Sequence, residues 1–150
     1  MPREPHEKVT LSVEEGVIGI RHASCPKGCN LMDPTVLIHG LPSIRLGFSY
    51  EGRQGVVRLD PLYGRFENIL DWDLPVGSTV EFSCPGCGES LRVQNETCQA
   101  CAGPLFALHL PSGIVEGCLR NGCHYHKLTI VDNGSLMDRL FSNHHLDSYL

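Results

Sequence analysis

Eight cysteines fall in four short-spaced pairs along this chain, Cys25/Cys29, Cys84/Cys87, Cys98/Cys101 and Cys118/Cys123, and none is left over. A short-spaced pair puts two sulfurs on one tight turn. Two such turns facing each other supply the four thiolates of a tetrahedral metal site. Eight thiols therefore predict two sites, and a chain that closes both must bring turns that are distant in sequence together. Closing long loops with metal would stabilise the whole domain.

Disulfides are the competing use of paired cysteines. An extracellular disulfide framework needs an export signal, and residues 1–8 carry charges of both signs with no apolar stretch behind them. The expected setting is cytoplasmic and reducing, where paired cysteines hold metal more often than disulfides. Asn-x-Ser/Thr triplets at Asn95 and Asn133 matter only in exported chains. No apolar run is long enough for a transmembrane helix. A formal charge of −5 provides no whole-chain attraction to nucleic acid or to an anionic membrane. With 150 residues and 41% apolar content, one domain or two small ones with a modest core are expected.

The pattern between the cysteines is mostly that of strands and turns. Residues 1–8 read as a disordered lead, and a β-rich metal-binding domain is expected over 9–134. Val9 to Arg21 alternates loosely around Glu14-Glu15-Gly16, a strand–turn–strand pattern. Ile44, Leu46, Phe48 and Tyr50 alternate with polar or small residues. Beyond the turn-like stretch Glu51 to Gly55, Val56 to Leu59 completes a hairpin signal. A short helical turn is predicted at Phe66 to Leu70. Val80 and Phe82 lead a strand into Cys84. Leu105–Leu110 and Ile114–Glu116 flank Pro111-Ser112-Gly113 as another hairpin, and Tyr125 to Val131 reads as a further strand. One helix is predicted, over 135–150, where Ser135 can cap and Leu136, Leu140, Phe141 and Tyr149 fall at helical spacing. The expected fold class is mainly β, a small hairpin and sheet domain with two four-cysteine metal sites and a C-terminal helix.

Cys84-Pro85-Gly86-Cys87-Gly88 has the form of a metal-binding knuckle, in which Pro and Gly shape a turn that aims backbone amides at sulfur. Cys98-Gln99-Ala100-Cys101 is a second, ten residues later. This stretch, within 80–131, resembles the zinc-ribbon family. The resemblance implies that Cys84, Cys87, Cys98 and Cys101 ligate one metal, and it implies no particular reaction. The outer pairs are looser, yet each keeps a glycine, Gly28 or Gly122, immediately before its second cysteine. They would then close a second, nested site. A different pairing stays open: the hairpin from Leu105 to Glu116 would bring Cys98/Cys101 against Cys118/Cys123, leaving Cys25/Cys29 to meet Cys84/Cys87. All eight cysteines are ligands either way.

All-sulfur tetrahedral sites bind zinc without redox demands, so two Zn²⁺ per chain are expected. The Cys-Pro-x-Cys-Gly knuckle also resembles that of rubredoxin, which implies iron as the alternative. His124 and His126 follow Cys123, and His22 precedes Cys25, so each is a candidate ligand. With eight thiolates available they read instead as supporting or surface residues. His144 and His145 read as solvated.

No Ser-His-Asp signature, phosphate-binding glycine loop or His-Glu-x-x-His helix is present. The expectation is a non-catalytic accessory or adapter subunit that works with a protein partner. The alternative is nucleic-acid binding through residues 43–66, where Arg45, Arg53, Arg58 and Arg65 outnumber Glu51 and Asp60. There Phe48, Tyr50, Tyr63 and Phe66 would offer stacking faces. Against this, the alternation fits aromatics turned to the core with solvated arginines opposite. Asp71, Trp72 and Asp73 form an acidic neighbour. A third alternative is an electron-transfer or metal-delivery protein. The terminal helix, with Leu136, Met137, Leu140, Phe141 and Leu146, would either cover the core or dock into a partner.

Overall fold

The computed structural model describes residues 11–14 and 17–130. Within them the chain is all β. Strand β1 (Leu11–Glu14) pairs antiparallel with β2 (Val17–Ile20) as a two-stranded sheet. A five-stranded antiparallel sheet follows, built from β3 (Met32–Ile38), β4 (Leu41–Tyr50), β5 (Arg53–Leu59), β6 (Ile69–Leu70) and β7 (Glu81–Ser83). A four-stranded antiparallel sheet contains β8 (Arg92–Thr97), β9 (Pro104–Leu110), β10 (Gly113–Cys118) and β11 (His126–Ile130), in the order β11-β10-β9-β8.

The hydrophobic alternation decides which face of each sheet turns inward. Ile44, Leu46 and Phe48 on β4 are all buried, as are Phe106, Leu108 and Leu110 on β9, and they meet in one core with Ile18, Val57, Val80 and Leu119. The hairpins close through residues in left-handed conformation. His39 and Gly40 (φ 57° and 77°) join β3 to β4, and Glu51 and Gly52 (φ 52° and 81°) join β4 to β5. Consecutive positive φ values are the mark of the tight turn that matches strand twist. The turn-like stretch from Glu51 to Gly55 thus contracts to two residues, because Arg53, Gln54 and Gly55 pair with Tyr50, Ser49 and Phe48.

Three further differences from the sequence reading stand out. The predicted helical turn at Phe66–Leu70 is not helical: Ile69 and Leu70 pair with Arg58 and Val57 as an edge strand. The buried Asp60 carboxylate holds the approach to it, accepting hydrogen bonds from the amides of Leu62 (2.9 Å) and Glu67 (3.0 Å) and pairing with His39 Nε2 (2.8 Å). Strands β3 and β8 have no counterpart in the sequence reading. β3 carries a proline and breaks register between Asp33 and Leu37, and β8 is largely exposed, so neither shows a period-two apolar pattern. The predicted 135–150 helix and the 1–8 lead lie outside the described residues.

Gly55 shows how closely this core is filled. A Cβ at this position would lie 2.7 Å from Trp72 Nε1 and 2.8 Å from the Phe48 ring. Trp72 also donates to Gln54 O (3.2 Å) and carries the Arg53 guanidinium 4.1 Å from its ring centroid. Gly55→Ala is expected to cost about 1–3 kcal/mol and to shift the emission of the sole tryptophan. Urea titration followed by fluorescence reads both effects, and an unchanged midpoint would contradict the packing.

Candidate metal centres

The structure gathers the eight cysteines into two groups, Cys25, Cys29, Cys84 and Cys87 in one, and Cys98, Cys101, Cys118 and Cys123 in the other. Within each, all four sulfurs lie within 4.8 Å of one another. The pairing implied by the zinc-ribbon resemblance, Cys84/Cys87 with Cys98/Cys101, is therefore corrected, and so is the nested outer site. The reason is the path of the chain between the two knuckles. A ribbon would return through a tight hairpin. Here residues Arg92–Thr97 form β8, which pairs with β9 at both its ends around a break at Asn95 (φ 65°), and a strand of this length spans at most roughly 20 Å.

Strand register explains each grouping. β3 and β7 lie along the same edge of β4: β3 starts at Met32 opposite Ile44, and β7 ends at Ser83 opposite Gly47. The turn just before β3 carries Cys29, and the residue just after β7 is Cys84. Both are delivered to the gap beside Arg45 and Leu46, where the Arg45 amide donates to Leu31 O (2.7 Å). In the second group, Cys118 ends β10 opposite Leu105 of β9, and Thr97, the last residue of β8, pairs with Pro104. Four chain segments thus converge at one end of the four-stranded sheet.

The turns themselves are built alike. In every pair an amide two residues on donates to the first sulfur: Lys27 to Cys25 (3.3 Å), Gly86 to Cys84 (3.2 Å), Ala100 to Cys98 (3.3 Å) and Arg120 to Cys118 (3.4 Å). The two Cys-x-x-Cys knuckles match further. The Cys84 amide donates to Glu89 O and the Cys98 amide to Gly103 O, while the amides of Gly88 and Ala102 donate back to the carbonyls of Cys84 and Cys98. Gly88 and Ala102 occupy equivalent left-handed positions, φ 80° and 65°. Alanine is strained in that conformation where glycine is not, so Ala102→Gly is expected to raise stability by about 1 kcal/mol, read as a higher melting temperature of the metal-loaded chain. In the looser outer turns Gly28 (φ 93°) and Gly122 (φ 96°) hold the corresponding conformation immediately before Cys29 and Cys123.

The geometry fits a tetrahedral dication. Metal–sulfur bonds of about 2.3 Å put the sulfurs of a tetrahedron about 3.8 Å apart. The observed contacts are 3.8 Å for Cys25–Cys87, 3.7 Å for Cys98–Cys123 and 3.4 Å for Cys101–Cys118. All eight cysteines are free thiols in the structure. Cys25, Cys84 and Cys98 are buried, whereas Cys87 is exposed.

The electrostatics of each cluster call for a cation. Burial opposes ionisation of Cys25, but the amides of Cys29 and Lys27 and the neighbouring thiols bring its pKa down to about 7. Hydrogen bonds with Cys25, Cys84 and Cys87 push Cys29 up to about 12. In the second cluster the Gly103 amide, outweighing burial, brings Cys101 to about 7, while burial foremost pushes Cys118 up. Four thiolates at this spacing repel one another, so one sulfur in each cluster ionises readily and another is held protonated. A divalent metal must displace the protons that the raised thiols of each cluster hold, Cys29 and Cys87 in one and Cys118 and Cys123 in the other. Its apparent affinity is therefore expected to rise with pH and to fall on acidification, checked by chelator competition at about pH 6.5 and about pH 8.

His22 is exposed, and neither His124 nor His126 belongs to a cluster. His124 stacks on Phe66 at 4.3 Å and 9°, and His126 meets the Tyr63 ring edge-on at 4.7 Å. Both clamp the loop that carries Cys123 against the segment before β6. The sequence signal for this role is the alternation of His124 and His126 with Tyr125, which puts both imidazoles on one side. Arg120 packs beside the second cluster, its Nε lying 3.4 Å from where a Gly103 Cβ would be, a point itself 3.3 Å from Cys101 Sγ. The Arg120 Nε is buried without a hydrogen-bond partner among the described residues, a placement that sets positive charge next to a site whose four thiolates outweigh a dication.

No helix among the described residues is long and apolar enough to cross a membrane. Compared with known proteins, the chain matches no family model, no curated protein and no solved structure.

Proposed function

We propose that this chain is a non-catalytic cytoplasmic accessory or adapter protein whose β scaffold is held by two structural zinc ions. Its surface serves a protein partner within a larger assembly. The observation that carries this reading is the composition of the two clusters: four cysteine sulfurs each, all within 4.8 Å. Four thiolates close a tetrahedral zinc and leave no position for water or substrate, as structural sites do. We read the individual knuckles as zinc-ribbon in type, with a pairing of their own.

The nucleic-acid alternative is weakened in its stacking half: Phe48 is 2% exposed and turned into the core, Tyr50 and Tyr63 are partly buried against it, and the exposed Phe66 already stacks on His124.

Metal analysis of protein purified at native levels, together with identification of what co-purifies, tests the proposal. Two zinc ions per chain and a stoichiometric protein partner are expected. One metal or none would overturn the two-site scaffold. Iron with its visible absorption would make electron transfer the better reading.

A further inference from the structure

The arginines of the β4–β5 hairpin do something the aromatics do not: two of them converge. Arg45 and Arg58 are direct cross-strand partners on the outer face of the five-stranded sheet. Like charges placed directly opposite each other destabilise a sheet pair unless something lies between them. Both line one open concavity of about 370 Å³, together with Asn30, Thr35 and Pro85, the last from the first metal knuckle.

The single acid in this concavity is already engaged. Asp33 accepts from the Thr35 amide (3.0 Å) and hydroxyl through Oδ1, and from Arg58 Nε (3.2 Å) through Oδ2. Thr35 foremost, with Arg58, holds this carboxyl below the usual range. Asp33 therefore engages the Nε of Arg58, and no hydrogen bond to its Nη atoms is present among the described residues. Arg45 is exposed and has no ion-pair partner among the described residues. Ser43 lies opposite Asp33, two residues before Arg45 and so on the same face. It is fully buried, and its hydroxyl has no hydrogen-bond partner among the described residues.

We propose that Arg45 and the free edge of Arg58 form an oxyanion site that takes a phosphate group. Planar guanidinium forks match the oxygen spacing of phosphate, and two of them facing one group give charge-assisted bonds from both sides. The site is independent of the zinc scaffold reading. It asks only that register place the arginines together. A phosphate group reaches it either as a free phosphate compound or as part of a single-stranded nucleic-acid backbone.

Nuclear magnetic resonance titration of the zinc-loaded full chain tests this, with inorganic phosphate and a short oligothymidylate as separate probes. Shifts confined to the amides around residues 30–35, 45 and 58 are expected, weakening as sodium chloride rises. Arg45→Gln, at an exposed position outside the metal clusters, should reduce affinity about tenfold or more. Arg92→Gln, whose side chain pairs with Glu81 elsewhere, should leave it unchanged. Tighter phosphate binding identifies the free compound as the ligand. Tighter oligothymidylate binding that phosphate competes away identifies the backbone. Absence of shifts with both probes at millimolar concentration, or equal affinity in Arg45→Gln, overturns the site.

Discussion

Replacing Cys84 by serine is expected to remove one metal per chain and leave the other in place. Cys25, Cys29 and Cys87 should become open to alkylation, while Cys98, Cys101, Cys118 and Cys123 stay protected. The pairing makes this outcome specific, since Cys84 shares its cluster with the turn before β3 and not with the second knuckle. A ribbon-type pairing predicts the opposite, exposure of Cys98 and Cys101. Metal analysis combined with peptide mapping after alkylation separates the two. The expected effect is large because a thiolate-bound structural zinc is worth on the order of 10 kcal/mol near neutral pH. That is comparable to the whole stability of an ordinary domain.

Removing both metals is expected to unfold the chain. Treatment with a strong chelator under reducing conditions should abolish the β signal in circular dichroism and make the chain sensitive to protease. Zinc should restore both. The first cluster ties the approach to β3 to the end of β7, two strands that pair with β4 and not with each other, and the second ties the ends of β8 and β10 and the approach to β9 to the loop before β11. Without the metals, four sulfurs remain crowded within 4.8 Å in each cluster, and the buried ones lose their strongest partner. A metal-free chain that keeps a cooperative melting transition at the same temperature would show that the clusters do not carry the fold.

The cysteines were legible as ligands because a turn with two closely spaced thiols is a local object. Its amide geometry, its glycine and its sulfurs are written within a few consecutive residues. Alternation at Ile44 to Phe48 and at Leu105 to Leu110 was legible for the same reason, since a half-buried strand repeats every two residues. β6 was misread as a helical turn because its two residues have no period to show. β8 was missed because it is exposed on most of its length, with nothing apolar to mark its face.

The arginine-aromatic hairpin shows the same division. Its sequence mixes both residue types, and alternation already argued that they face opposite ways. Only the register showed that Arg45 and Arg58 are partners and that Asp33 reaches Arg58 from a strand absent from the sequence reading.

By itself, the sequence determined that four thiolate turns exist, that two metals suit them, and that the framework between them is β. Which turns meet is a non-local question, and tertiary structure alone decided it. β3 and β7 share one edge of β4, so Cys25 and Cys29 meet Cys84 and Cys87 across a long stretch of intervening chain. β8 carries the two similar knuckles apart, because its two ends are paired to β9 at Phe106 and Pro104 and the second knuckle is set at the far end of that pairing.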